Sequence, residues 1–199
     1  IGLGNTKDDL TLKGQKAVKD AEIVIIRTEK TQAAKTLKEM GIDYIALDDL
    51  YEKYDDFDAL NIALAEKVSE LAEKRNAAYL VDGGGTDDMS ANMLCQKYDA
   101  KIIAGVSRES AVLADAKHNA NTICGVTAVD FINDKSFFAP LGALVIKEID
   151  NKYQASDVKL KLIELYGEIQ VYYAVNGSGS YIGADELDMA PGLRLVCHA

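Results

Sequence analysis

Glycine is concentrated at three points of this sequence, each at or near the end of an apolar run. The stretches are GLGNT at 2–6, DGGGT at 82–86 and AGVS at 104–107. A glycine at the end of a strand lets the backbone approach a ligand closely, although it is also the ordinary residue of a tight turn. Because the carboxyl ends of parallel strands meet at one edge of a sheet, three such stretches together favour a ligand site over three unrelated turns.

The sequence between these stretches alternates between strand and helix patterns. Apolar runs such as IVII at 23–26 are typical of parallel strands that are covered on both faces. Leu60, Leu64 and Val68 recur at helical spacing and mark the clearest helix. Five strand–helix units in succession predict an α/β fold, a parallel sheet with helices on both faces. The predicted strands are at 1–3, 23–26, 44–47, 77–81 and 101–104, and the predicted helices are at 10–19, from 31, at 57–71, 87–98 and 107–118.

The second half of the chain has a different pattern, richer in strands. Strands are predicted at 123–129, 143–149, 170–175 and 193–198, with one helix at 156–166 whose N-cap would be Ser156. This order predicts a smaller α+β domain with a mixed sheet. The polar stretch KHNAN at 117–121 follows a predicted helix, so we place the boundary there, between a Rossmann-like domain at 1–118 and a second domain at 119–199.

Composition narrows the class of protein. The chain has 199 residues, 48% of them hydrophobic, and a formal net charge of -10, which disfavours nucleic acid because phosphate binding needs a concentrated basic surface. No apolar run approaches the roughly 20 residues that span a bilayer, and no signal-peptide pattern is present. Three widely spaced cysteines and two histidines predict neither a disulfide framework nor a metal site. We therefore expect a cytoplasmic protein without a nucleic-acid, membrane or metal partner.

A dinucleotide site is the first alternative for the glycine stretches, and the sequence argues against it. Lys7 stands where the third glycine of that fingerprint belongs, and Arg27 and Thr28 stand where its acidic residue is expected. A Walker A sequence for nucleoside triphosphates is absent as well.

The order of the motifs resembles the tetrapyrrole methylase family over nearly the whole chain. The segments GLG…LTLKGQKAV, IIRTEK, YLVDGGG and IAGVS follow one another as that family's motifs do. The similarity is greatest to the methylase domain that bacteria fuse to a MazG-type nucleotide pyrophosphohydrolase, particularly in the segment IKEIDNKYQASDVKLKLIELYG.

The resemblance implies a methyltransferase that binds S-adenosyl-L-methionine across the strand-end loops, in a cleft between two domains, and acts on a tetrapyrrole or related macrocycle. It also implies a homodimer. Methyl transfer from a sulfonium depends mainly on positioning, so no catalytic acid or base is expected. The residues that would hold the cofactor are Gly2, Gly4, Asn5, Asp82, Gly83, Gly84, Gly85, Val106 and Ser107, and those that could meet substrate carboxylates are Arg27 and Lys30.

Several positions depart from the family's pattern and leave alternatives open. The family's prolines are replaced by Asn5, Gly85 and Ala104, and its acidic or histidine position by Gly84. The alternative function is therefore a catalytically inactive module that partners a nucleotide pyrophosphohydrolase. Prolines at 85 and 104 are expected to stiffen the loops and tighten cofactor binding, and valine at 84 to abolish it with the fold intact.

Three charged side chains also have a second interpretation. Asp82 either accepts a hydrogen bond from the cofactor's amino group or is a solvated turn carboxylate. Arg27 and Lys30 either bind substrate or are ordinary surface charges. Asp87 and Asp88 are expected at the N-terminus of the next helix, where its dipole stabilises a negative charge.

Overall fold

The computed structural model describes residues 1–31, 34–136, 142–149, 151–175, 178–187 and 192–197. The chain forms two compact units, Ile1–Arg108 and Glu109–Ala199. The division falls earlier than the boundary predicted between 118 and 119. The reason is helix α6 (Arg108–Asp115), which packs Val112 and Leu113 into a core shared with strands of the second unit.

The sheet of the first unit is parallel, as the apolar runs predict. Its strands β1 (Ile23–Ile26), β2 (Ile45–Ala46) and β3 (Ala77–Leu80) lie in the order β2-β1-β3. The segment at 1–4 lies beside the end of β3: the Leu3 N–H donates to the Val81 carbonyl at 2.8 Å. On the far side of that segment, the Gly2 N–H donates to the Ile103 carbonyl at 2.9 Å. Residues 101–104, predicted as a strand, thus lie alongside the sheet without forming a strand.

Helices cover both faces of this sheet because alternate strand residues point to opposite sides. Val24 and Ile26 belong to the core on one face, together with Leu37. Ile25 belongs to the core on the other face, together with Leu64. The helices are α1 (Leu12–Lys19), α2 (Ala34–Glu39), α3 (Asp48–Tyr51), α4 (Phe57–Leu71) and α5 (Met89–Lys97).

The second unit contains a mixed sheet, which confirms the predicted change of architecture. Its order is β4-β5-β8-β6-β7; β4 and β5 are parallel and the other neighbours antiparallel. After α6 come β4 (Ile123–Thr127), α7 (Ala128–Asn133), β5 (Ala143–Ile149), α8 (Lys152–Tyr166), β6 (Gln170–Val175), β7 (Ser178–Gly183) and β8 (Gly192–Cys197).

Two local predictions in this unit are wrong. The strand predicted at 123–129 ends at Thr127, whose hydroxyl accepts from the Asp130 N–H and caps α7. Helix α8 begins at Lys152, because the Asn151 side chain accepts from the N–H groups of Tyr153 and Gln154. Ser156 therefore lies inside the helix, and Asn151 is the N-cap.

Candidate functional site

The three glycine stretches lie side by side at the carboxyl end of the first sheet. Gly4 and Gly83 exchange backbone hydrogen bonds of 3.0 and 2.9 Å, and the Gly105 N–H donates to the Gly84 carbonyl at 3.2 Å. We call Gly2, Gly4, residues 83–85 and Gly105 the glycine edge. The fold brings together segments that are up to a hundred residues apart in the sequence.

Close backbone packing explains two of these glycines without any ligand. A Cβ on Gly2 would lie 2.5 Å from the Gly84 carbonyl oxygen and 2.6 Å from the Gly105 nitrogen. A Cβ on Gly105 would lie 2.4 Å from the Gly2 carbonyl oxygen. Real side chains essentially never tolerate such distances. The backbones at Gly2 and Gly105 can therefore meet only because both residues are glycine.

The middle stretch requires glycine for its backbone conformation. Gly83 and Gly85 have φ values of 62° and 77°, in the left-handed region that L-residues avoid. Proline fixes φ near −65°, so the expectation that proline at 85 would tighten binding is wrong for this loop. Gly84 has no such constraint, but a Cβ there would lie 3.3 Å from the Ser107 Cβ.

The first loop is closed by a carboxylate from its own chain. Asp9 accepts hydrogen bonds from the backbone N–H groups of Asn5 at 2.9 Å and Thr6 at 2.8 Å. The Asn5 side-chain amide donates to the Val106 carbonyl at 3.1 Å, which ties the first stretch to the third. Asp9 is not among the residues predicted for the site; a carboxylate four residues after Asn5, in a turn-rich stretch, is the signal that indicates it.

Asp82 lies between Val81 and Gly83, which are both bridged to the segment at 1–4, and it is not a fully solvated turn residue. Burial raises the pKa of its carboxyl above the ordinary value, and the positive charges of Arg108 and Arg27 and a hydrogen bond from Thr31 oppose that rise. A partly desolvated carboxylate at the end of β3 can accept a hydrogen bond from a cationic or amino group of a ligand.

Arg27 lies in a partly buried network of polar side chains and not at the exposed surface. Its Nη1 is 2.8 Å from the Asp88 carboxylate and 2.9 Å from Asn61 Oδ1, and its Nε donates to the Tyr51 hydroxyl at 2.8 Å. The side chains of Arg27 and Asp88 are only 16% and 12% exposed. Asn61 and Tyr51 could not be predicted as partners of Arg27, because helical spacing does not indicate which polar side chain a buried cation will meet.

Asp88 is the N-cap of α5, as predicted for the start of this helix. Its Oδ1 accepts from the Ala91 N–H at 2.8 Å and from the Ser90 hydroxyl at 2.6 Å. The Ser90 hydroxyl also lies 2.9 Å from that of Tyr79, in the middle of the core. Burial raises the pKa of Tyr79, so this phenol stays neutral.

Lys30, unlike Arg27, is exposed to solvent. Its backbone N–H donates to the Thr28 hydroxyl at 3.1 Å. The Thr28 hydroxyl in turn lies 2.6 Å from Asp48, so the loop after β1 is held in place beneath Lys30.

The chemistry available at the glycine edge is mainly that of backbone groups, with Asp82 and Ser107 nearby in the sequence. Over the described ranges, no three His, Cys, Asp or Glu side chains come together in a group that could hold a metal ion. In those same ranges every helix is too short or too polar to cross a bilayer. The arrangement fits binding and orientation of a small molecule better than acid–base catalysis.

Sequence comparisons give a distant relative. No family model matches the chain. The curated relative is the "Uncharacterized protein YabN" of Bacillus subtilis (strain 168), which is 24% identical over 186 residues. The match covers 90% of this chain but only 38% of the relative, so the chain spans well under half of that protein's length.

Solved structures of three enzymes share the fold over almost the whole chain. Uroporphyrin-III-C-methyltransferase from Thermus thermophilus aligns with a TM-score of 0.67 at 15% identity, over 98% of this chain and 91% of its own. The cobalamin biosynthetic enzyme cobalt precorrin-4 methyltransferase, CbiF, gives 0.69 at 13%, over 99% and 92%. Diphthine synthase gives 0.65 at 13%, over 99% and 88%. At these identities the likeness establishes the fold, and it confirms the predicted fold class.

Proposed function

We propose that this chain is an S-adenosylmethionine-dependent methyltransferase that acts on a tetrapyrrole or related macrocycle. The observation that supports it most is the glycine edge, where three strand-end loops meet through their backbones at the carboxyl end of a parallel sheet. Ligands of open α/β sheets bind at this end. The fold shared with two enzymes named as methyltransferases supports the same assignment.

The residues of the edge divide into those that shape it and those proposed to touch the cofactor. Gly2 and Gly105 pack against each other, Gly4 packs against Asp9 and is hydrogen-bonded to Gly83, and Asn5 links two loops. The cofactor would be held by backbone groups of residues 83–85, Val106 and Ser107, with Asp82 accepting from its amino group. Gly83 has room for this, because a Cβ there would find its nearest neighbour, Arg108 Cγ, only at 3.8 Å.

The chemistry requires little else from the chain. S-adenosylmethionine would supply a methyl group already activated by its sulfonium, and the protein would contribute orientation of the acceptor atom toward that methyl. For the substrate, Lys30 is the proposed partner of a carboxylate. Arg27 is withdrawn from that role because its guanidinium is engaged with Asp88, Asn61 and Tyr51.

A catalytically inactive binding module is the second candidate function. The closure of the first loop by Asp9 favours it, because two backbone N–H groups of that loop are already used within the chain. The nucleotide pyrophosphohydrolase implied by the resemblance would then be the partner.

Calorimetric titration with S-adenosylmethionine and S-adenosylhomocysteine distinguishes the two functions. We expect saturable binding of both by the natural sequence and its loss in Gly84→Val, whose side chain would crowd Ser107. Leu160→Val, at a position of α8 that is 64% exposed, is the control. Circular dichroism verifies that each variant is folded. A natural protein that releases no heat with either ligand contradicts the enzyme and leaves the binding module.

Assembly and compartment form the remaining part of this proposal. We expect a two-fold homodimer in the cytoplasm, where Cys95 and Cys124, both free thiols, stay reduced. Its interface should bury more than about 1,000 Å², the usual lower limit for a specific contact. Light scattering at micromolar concentration that returns the mass of one chain would contradict the dimer.

A further inference from the structure

The 82–87 loop of the glycine edge is fastened at both ends. At its start, Gly83 exchanges hydrogen bonds with Gly4. At its end, the Asn92 side-chain amide donates to the Thr86 carbonyl at 3.0 Å, and Asp88 begins helix α5. The start is therefore held by backbone, whereas the end depends on side chains.

Asp88 connects this end of the loop to the rest of the unit. One carboxylate oxygen caps α5 through the Ala91 N–H, and the other meets Arg27 at 2.8 Å. Arg27 is itself held by Tyr51 of α3 and Asn61 of α4. A single guanidinium thus fixes the beginning of α5 relative to the end of β1 and two further helices.

Stability alone does not explain such a pair. Replacing a buried ion pair with apolar side chains of similar volume is often neutral or stabilising, because both charges must be desolvated. A planar guanidinium with several donors is, however, suited to fixing geometry. Asp88 directly follows the 82–87 loop, which is the loop proposed to hold the cofactor.

We propose that Arg27 and Asp88 are positioning residues that hold the 82–87 loop in the conformation that receives the ligand. Neither touches the ligand; Arg27 acts through Asp88, and Asp88 through the start of α5. The ligand is S-adenosylmethionine, and for this identity alone the inference rests on the proposed function.

The test compares Asp88→Asn with the natural protein by amide hydrogen exchange without ligand. Asparagine keeps the N-cap but removes the charge that faces Arg27. We expect exchange of the 83–86 amides to accelerate about tenfold or more relative to the amides of β1, the effect on local opening of losing one hydrogen bond to a charged group. Lys147→Met, which breaks a buried pair of the second unit, is the control and should leave this ratio unchanged.

A second variant keeps the test decisive if Asp88→Asn does not fold. Arg27→Lys retains the positive charge near Asp88 but not the planar set of donors, and it should also accelerate exchange of the loop selectively. Unchanged loop exchange in a folded variant, or equal acceleration throughout the unit, overturns the proposal.

The dissociation constant for S-adenosylmethionine, measured for the natural protein and for both variants, tests the effect on ligand binding. In both variants we expect the dissociation constant to rise about tenfold, the effect of losing one hydrogen bond to a charged group. If the natural protein does not bind this cofactor, the proposed function fails while the exchange measurement still decides the positioning role. If the natural protein binds and the variants bind equally well, the positioning role fails and the function stands.

Discussion

Each of the two compact units buries an ion pair that joins the start of a helix to a strand, and the two pairs use different cations. In the first unit Arg27, directly after β1, meets Asp88, the N-cap of α5, at 2.8 Å. In the second unit Lys147 of β5 meets Glu109, in the first turn of α6, at 2.7 Å. The side chains of Lys147 and Glu109 are 10% and 19% exposed, so burial is similar in the two pairs.

The difference lies in what each cation can organise. The guanidinium of Arg27 presents donors in a fixed plane and reaches Tyr51, Asn61 and Ser90 in addition to Asp88. An ammonium is a compact point charge on a flexible stem. An arginine can therefore fix several elements around a loop, whereas a lysine is suited to neutralising one buried carboxylate.

The largest expected effect is that of Arg27→Met. It leaves the Asp88 carboxylate buried without its partner and deprives Tyr51 and Asn61 of theirs. We expect the free energy of unfolding to fall by about 3–5 kcal/mol, the usual range for breaking a buried pair, measured by urea denaturation. The double variant Arg27→Met with Asp88→Asn should lose less than the sum of the single variants. A loss as small as that of an exposed pair, below about 1 kcal/mol, would contradict the comparison.

Lys147→Met should have the next largest effect, at about 3 kcal/mol, the lower end of the same range. The loss is smaller because the variant leaves the Glu109 carboxylate in the first turn of α6, where the helix dipole favours a negative charge. The same denaturation experiment measures it. A loss greater than that of Arg27→Met would show that the network of the first unit is not the stronger of the two.

The smallest expected effect concerns the phenol of Tyr172 in the second unit. Tyr172 donates to Asp115 of α6, and burial together with this carboxylate raises the pKa of its phenol to about 12. The folded protein therefore keeps the proton to higher pH than the unfolded chain, so stability falls as pH rises from about 10 toward 12. Below pH 10 the group contributes no pH dependence.

Tyr172→Phe should remove this part of the alkaline loss. Urea midpoints of the variant and the natural protein, compared at pH 8, 10 and 11, should converge as pH rises. Equal alkaline slopes in the two proteins would show that Tyr172 does not titrate as described. The comparison isolates Tyr172, because Tyr79 of the first unit, whose pKa burial also raises, is present in both proteins.

Particular residues show where prediction from the sequence succeeds. The strand at 23–26 and the one at 143–149 have the predicted bounds, since a continuous apolar run of strand length is a local signal. Asp88 at the start of α5 was expected for the same reason, because helix caps depend on neighbouring residues. The N-cap of α8 is an exception, because the sequence pattern predicts Ser156 and the structure has Asn151.

The errors at the site have a common physical cause. The interpretation of Arg27 as a surface charge is wrong because its side chain is only 16% exposed, and its partners lie 24 to 63 residues away in the sequence. The sign of φ at Gly85 follows from how the loop returns to Gly2, whose nitrogen would lie 3.1 Å from an added Cβ. Neither contact leaves a mark in spacing or composition.

The sequence by itself determined the alternation of strands and helices, the change to a mixed sheet and the positions of the three glycine stretches. These features follow from local periodicity and from the conformational freedom of one residue type. Only the tertiary structure decided that Gly2 and Gly105 pack against each other and that Asp9 closes the first loop. It also decided that Arg27 pairs with Asp88. Contacts of this kind depend on which strands become neighbours, and strand order is a property of the whole sheet.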